Sequence, residues 1–89
     1  MKAIITVIGK DQIGIISGTS NVLSECSINI LDISQTIMQS FFTMIMLVDL
    51  SKSTLPFAEL QKKLNEKGDT LGVKITIQHE DIFKSMHSL

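Results

Sequence analysis

Hydrophobic and polar residues alternate at three places along the chain, and a helical repeat interrupts them twice. Lys2 to Ile8 alternates throughout, with Ala3, Ile5 and Val7 on one side and Ile4, Thr6 and Ile8 on the other. Both sides are largely apolar, which predicts a central strand ended by Gly9. Ile13 to Cys26 has helical spacing, with Ile16, Thr19 or Ser20, Leu23 and Cys26 or Ser27 on one face and Val22 beside them. Gly18, disfavoured in a helix interior, implies close packing there. Ile28 to Met38 alternates again. Leu31, Ile33 and Ile37 share a parity with Asn29, and Asp32, Ser34 and Thr36 take the other beside Ile30. One apolar and one polar face predict an edge strand. Gln39-Ser40 is the expected hairpin turn.

Phe41 to Leu50 is nearly all apolar and reads as a second central strand. Ser53 and Thr54 are cap candidates, and Pro56 suits a first helical turn. Phe57, Leu60, Leu64 and Leu71 then repeat in helical phase, Glu59 can pair with Lys63, and Gly72 is the expected stop. Val73, Ile75 and Ile77 alternate with Lys74, Thr76 and Gln78, giving a second edge strand. Ile82, Phe83, Met86 and Leu89 form one helical stripe in the tail.

The order β-α-β-β-α-β predicts an α+β fold. It is a ferredoxin-like sandwich, a four-stranded antiparallel sheet with two helices on one face. Right-handed crossovers put the first and third strands in the middle. Residues 1–80 make one domain, and 81–89 a tail that packs on the domain or on a partner. The face without helices would expose Ile or Met side chains from both central strands, which marks a partner surface. A homodimer or larger homo-oligomer is expected, joined by sheet face, sheet edge or both.

Composition narrows the function. The chain has 89 residues, room for a single domain. Its formal net charge is −1, and aromatic residues are limited to four Phe, so neither nucleic acid nor an anionic membrane is an expected partner. Every cation is Lys, which weighs against a guanidinium clamp. The single cysteine, Cys26, leaves no internal disulfide and reads as core. No secretory signal or membrane-length apolar run stands out, so a cytoplasmic location is the default. His79 and His87 are the only histidines and read as surface residues, and neither a metal nor a cofactor is expected.

The turn after the first strand carries the chemistry. Gly9-Lys10-Asp11-Gln12-Ile13-Gly14-Ile15 precedes a helix start, where backbone N–H groups are free. Those amides can take the carboxylate of an amino acid, and Asp11 can take its ammonium. Gly14 admits the ligand close to the backbone, and Asn29 offers a donor and an acceptor. The expectation is a small polar pocket at one rim of the sheet. It would be built from Lys10, Asp11, Gln12, Ile13, Gly14, Ile15, Asn29 and Ile30. The plain alternative is a tight turn, with Asp11 capping the helix and Asn29 satisfying nearby backbone.

The span Val7 to Ile15, with Asn29-Ile30, resembles the ACT domain, the small regulatory amino-acid-binding module. The match covers roughly residues 2–80. Asp32-Ile33-Ser34-Gln35-Thr36 and Asp81-Ile82-Phe83 extend the likeness to a family of stand-alone bacterial single-ACT-domain proteins. The chain is also similar, more distantly, to the ACT halves of the glycine-cleavage repressor. The resemblance implies paired domains, with ligand held between the first loop of one copy and its neighbour. It implies no catalysis. Gly14 matches the family's loop glycine, Asn29 its ligand-touching asparagine, and Asp11 a loop position that often meets ligand. Ile13 departs from the proline many members carry, and no His or Arg stands in the loop. Two functions follow. One is a regulatory module that binds an amino acid and relays the signal to a protein partner. The other is an interaction module with no ligand.

Overall fold

The computed structural model describes residues 1–10 and 14–87. Strands β1 (Lys2–Gly9), β2 (Asn29–Met38), β3 (Phe41–Asp49) and β4 (Lys74–His79) form one sheet in the order β2-β3-β1-β4. All three pairings are antiparallel. Helices α1 (Ile15–Glu25) and α2 (Phe57–Leu71) make the two crossovers, and α3 (Glu80–His87) follows β4 and lies against β1 and β4. The βαββαβ order, the central β1 and β3 and the edge β2 and β4 are those expected.

The core lies between the sheet and the first two helices. Ala3, Ile5 and Val7 of β1 and Phe42, Met44, Met46 and Val48 of β3 point into it. Ile75 and Ile77 join from β4, and Leu60 and Leu64 descend from α2. Ile4 and Ile8 face the other way, with Phe41, Ile45 and Leu47 beside them. The open face therefore carries apolar side chains from both central strands, as expected, set among threonines, and they are Ile, Leu and Phe. Met44 and Met46 belong to the helix side, fully buried.

The α1 stripe is as expected at Thr19, Val22, Leu23 and Cys26, all buried, and differs only at its start, where Ile15 is buried and Ile16 is 39% exposed. The helix also comes close to α2. A Cβ on Gly18 would stand 2.9 Å from Leu71 Cδ1, so the glycine is what lets the helices meet. Gly68 works the same way in α2, where a Cβ would lie 2.7 Å from the Val73 carbonyl oxygen. Gly72 ends α2 in the left-handed region at φ 74. Ser53 does not cap α2: its hydroxyl bonds the backbone of Leu55, two residues on. Among the described residues Glu59 and Lys63 form no ion pair, and the i,i+4 pair that forms is Lys84–Glu80 at 3.9 Å.

The second correction falls on β2. Ile30 pairs with Val48, but Asp32 pairs with Leu47, so Leu31 is an extra, bulged residue. A bulge shifts every later side chain to the opposite parity. Asn29 therefore joins Asp32, Ser34 and Thr36 on the open face, and Ile30 joins Ile33 and Ile37 on the helix side. Neither helix reaches over this edge, so Ile33 is 40% and Ile37 60% exposed on the covered side of the sheet. In the tail, Ile82 is exposed, while the side chains of Phe83 and Met86 and all of Leu89 lie outside the described residues.

Candidate functional site

Gly14 sits immediately before α1 with φ 78, a conformation glycine adopts freely. Among the described residues no atom lies within 4 Å of where its Cβ would be. Gly18 N–H donates to the Gly14 carbonyl at 2.9 Å and starts the helical ladder. The amides of Ile15, Ile16 and Ser17 thus have no intrahelical acceptor and stand at the positive end of α1. Among the described residues no side chain caps that end. Ile15 is fully buried and anchors the helix start. Lys10 is exposed at the same rim. It lines a shallow cleft of about 540 Å³ with Ile8, Phe41, Asp69 and Lys74. Asp11, Gln12 and Ile13 lie outside the described residues.

Asn29 and Ile30 are not at this rim. Gly9 pairs with Phe42, whereas Lys2 and Asn29 both pair with Asp49. Asn29 therefore lies level with the start of β1, roughly 23 Å from Gly9 at the usual rise per residue of a strand. The physical reason is topological. A crossover makes β1 and β2 parallel, so the end of one and the start of the other fall at opposite rims. A single pocket uniting Lys10, Gly14 and Asn29 does not exist within one chain. Ile30 packs against the core.

At its own rim Asn29 faces a second cleft, also about 540 Å³, which the sequence did not point to. The end of α1 supplies Ser24 and Ser27, and the turn after β3 supplies Ser51 and Lys52. Ser27 takes φ 57, and Ile28 N–H bonds the Leu23 carbonyl to close the helix. Asp49 accepts a hydrogen bond from Ser51 N–H at 2.9 Å and lies 4.0 Å from the N-terminal ammonium. The bonds from Ser51, more than the nearby positive charges, hold the Asp49 carboxyl below its ordinary range. It is ionised at neutral pH. The signal that could have found this cleft is the serine content of Ser24, Ser27 and Ser51 around Asn29.

His79 stacks on Phe57 with ring centroids 4.0 Å apart. Among the described residues no three His, Cys, Asp or Glu side chains gather to hold a metal, and no helix is long and apolar enough to cross a membrane.

With this geometry in view, comparison with known proteins is direct. The ACT domain family model matches residues 2–78. A UPF0237 family protein of Clostridium acetobutylicum is 64% identical over 98% of both chains. An ACT domain protein from Streptococcus pneumoniae superposes with a TM-score of 0.83 at 46% identity, covering 94% of each chain. A structure described as a glycine cleavage system transcriptional repressor aligns with a TM-score of 0.76 at 17% identity, over 86% of this chain and 45% of that one. That last likeness is one of fold.

Proposed function

The chain belongs to the ACT domain family, and from that footing we propose that it is a non-catalytic regulatory module. It acts as a homodimer and binds a small molecule, an amino acid, between its two copies. The observation that carries this is the state of β2. All ten of its residues are exposed or half-exposed, and its outer edge carries unpaired backbone groups. The strand contains no Lys, Arg or Pro, and the Leu31 bulge and Asp32 are the protection its edge does carry.

A second copy satisfies this edge. Two β2 strands related by a two-fold axis normal to the sheet pair antiparallel and extend it to eight strands. With Gln35 on the axis, Ile33 of one copy faces Ile37 of the other on the helix side, and Ser34 faces Thr36 on the open side. Aliphatic pairs of that kind contribute roughly 0.2–1 kcal/mol each. The same axis reverses the partner's strand. It carries the partner's Asn29 toward the rim where Lys10, Gly14 and Ile15 stand. The two halves that one chain holds apart thus meet across the dimer. Amides at the start of α1 suit a carboxylate, and the asparagine suits either charged group of an amino acid.

Thermal unfolding with each of the twenty amino acids at millimolar concentration tests this. At least one should raise the midpoint, as any ligand of the native state must. Asn29→Ala and Asp11→Ala should abolish that rise and leave the dimer intact. The open face favours a second reading, an interaction module without ligand, because Ile8, Phe41 and Ile45 are 47%, 50% and 37% exposed there. Under that reading no amino acid moves the midpoint.

A further inference from the structure

The outer edge of β2 is regular over one short stretch. The Leu31 bulge bounds it on one side and the Gln39-Ser40 turn on the other, so alternation runs unbroken from Asp32 to Met38. Met38 and Phe41 flank the two-residue loop, and such a loop is closed by a hydrogen-bonded pair. From there hydrogen-bonded and non-hydrogen-bonded pairs alternate along the antiparallel ladder. The backbone of Met38, Thr36, Ser34 and Asp32 accordingly turns to β3, and that of Ile37, Gln35 and Ile33 turns to the free edge. One of those three edge donors is already taken. The Ile33 N–H donates to the Asp32 carboxylate at 2.9 Å.

We propose that Asp32 is a latch on this edge: its carboxylate holds the N–H that a second copy must bind, so closing the latch and pairing the edge compete. The inference rests on the homodimer reading above and deepens it. A stretch that pairs with itself about a two-fold is centred on its middle residue, which here is Gln35. Any other register drives part of the stretch against the partner's bulge or turn. In the centred register Ile33 and the partner's Ile37 form a hydrogen-bonded pair, and the Ile33 N–H has the partner's Ile37 carbonyl as its acceptor. Asp32 has to release the N–H first. Its own place in the register is opposite the partner's Met38, an apolar neighbour that gives a carboxylate nothing in return. Asp32 and Ile33 are both exposed, and water competes for their bond. The latch therefore lowers the affinity of the dimer without preventing it, and it guards the edge of a lone chain.

The experiment compares the full chain with Asp32→Ala and Asp32→Asn. Sedimentation over a dilution series gives the dimer affinity. Native mass spectrometry of mixed unlabelled and isotope-labelled chains gives the rate of subunit exchange, which reads the same effect where the dimer is too tight to dilute apart. Asp32→Ala removes both latches of a dimer and should tighten it about tenfold, with exchange slowed to match. Asp32→Asn loses the charge but keeps an oxygen acceptor, so it should fall between Asp32→Ala and the parent. An Asp32→Ala dimer no tighter than the parent would overturn the latch and leave the homodimer standing. An Asp32→Asn dimer as tight as that of Asp32→Ala would also overturn it, because charge and not the hydrogen bond would then oppose pairing. Parent and variants that are all monomeric would overturn both readings.

Discussion

Among the described residues Thr19 is the one buried polar side chain of the core, and its hydroxyl has no hydrogen-bond partner there. An unsatisfied buried hydroxyl costs about 1–3 kcal/mol. Thr19→Val removes the hydroxyl and keeps the branched shape. It is expected to raise stability by about 1 kcal/mol, measured as an increase in the urea midpoint at unchanged slope. A fall would mean that the hydroxyl is satisfied by water. Single residues also show what the sequence could convey about the site. Gly14 stood out beside a helix start, and its left-handed backbone explains why a glycine is there. The pairing of Gly14 with Asn29 misled. Separation along the chain hides direction, and one helix crossover is enough to send the two residues to opposite rims. The cleft lined by Asp49 and Lys52 lay outside the motif because it forms where the turn after β3 meets the end of α1, a contact between distant segments.

At the scale of elements, the six-element order and the placing of β1 and β3 at the centre were legible in the hydrophobic pattern alone. Strands apolar on both faces can sit only where both faces are covered or shared. Two details were not. Ile30-Leu31 is a pair of aliphatic residues, so one residue can be inserted there without disturbing either face's composition, and the bulge leaves no mark in the pattern. Ile15-Ile16 is ambiguous in the same way, and it is Ile15 that enters the core. The β2–β3 hairpin carries a cost that can be measured. Met38 pairs with Phe41 across a two-residue loop, and Gln39 takes φ 56. Tight hairpins demand positive φ, and a side chain there is strained by roughly 1 kcal/mol. Gln39→Gly should therefore stabilise the chain by an amount up to that figure, seen as a higher melting temperature. A lower one would show that glycine's greater freedom in the unfolded chain outweighs the relief.

For the whole molecule, the question is which apolar surface a second copy covers. The sheet has two, and they differ in kind. On the open face Ile4, Ile8, Ile45 and Leu47 alternate with Thr6, Thr43 and Thr76, so the surface is mixed. At β2 the apolar side chains stand beside a backbone edge with no neighbouring strand, where the Ile33 N–H turns to the Asp32 carboxylate at 2.9 Å. The edge is therefore the surface at which pairing gains both hydrogen bonds and burial. In the proposed dimer, its two-fold also carries Asn29 of one copy toward the Gly14 rim of the other. Sedimentation equilibrium at micromolar concentration separates the two directly. The parent chain should sediment at twice its 9.8 kDa mass. Ile33→Lys/Ile37→Lys, which sets like charges opposite one another across the axis, should sediment as a monomer, while Ile45→Lys on the open face should remain a dimer. A monomeric parent chain, or a dimer that survives the β2 charges and is lost with Ile45→Lys, would contradict the account.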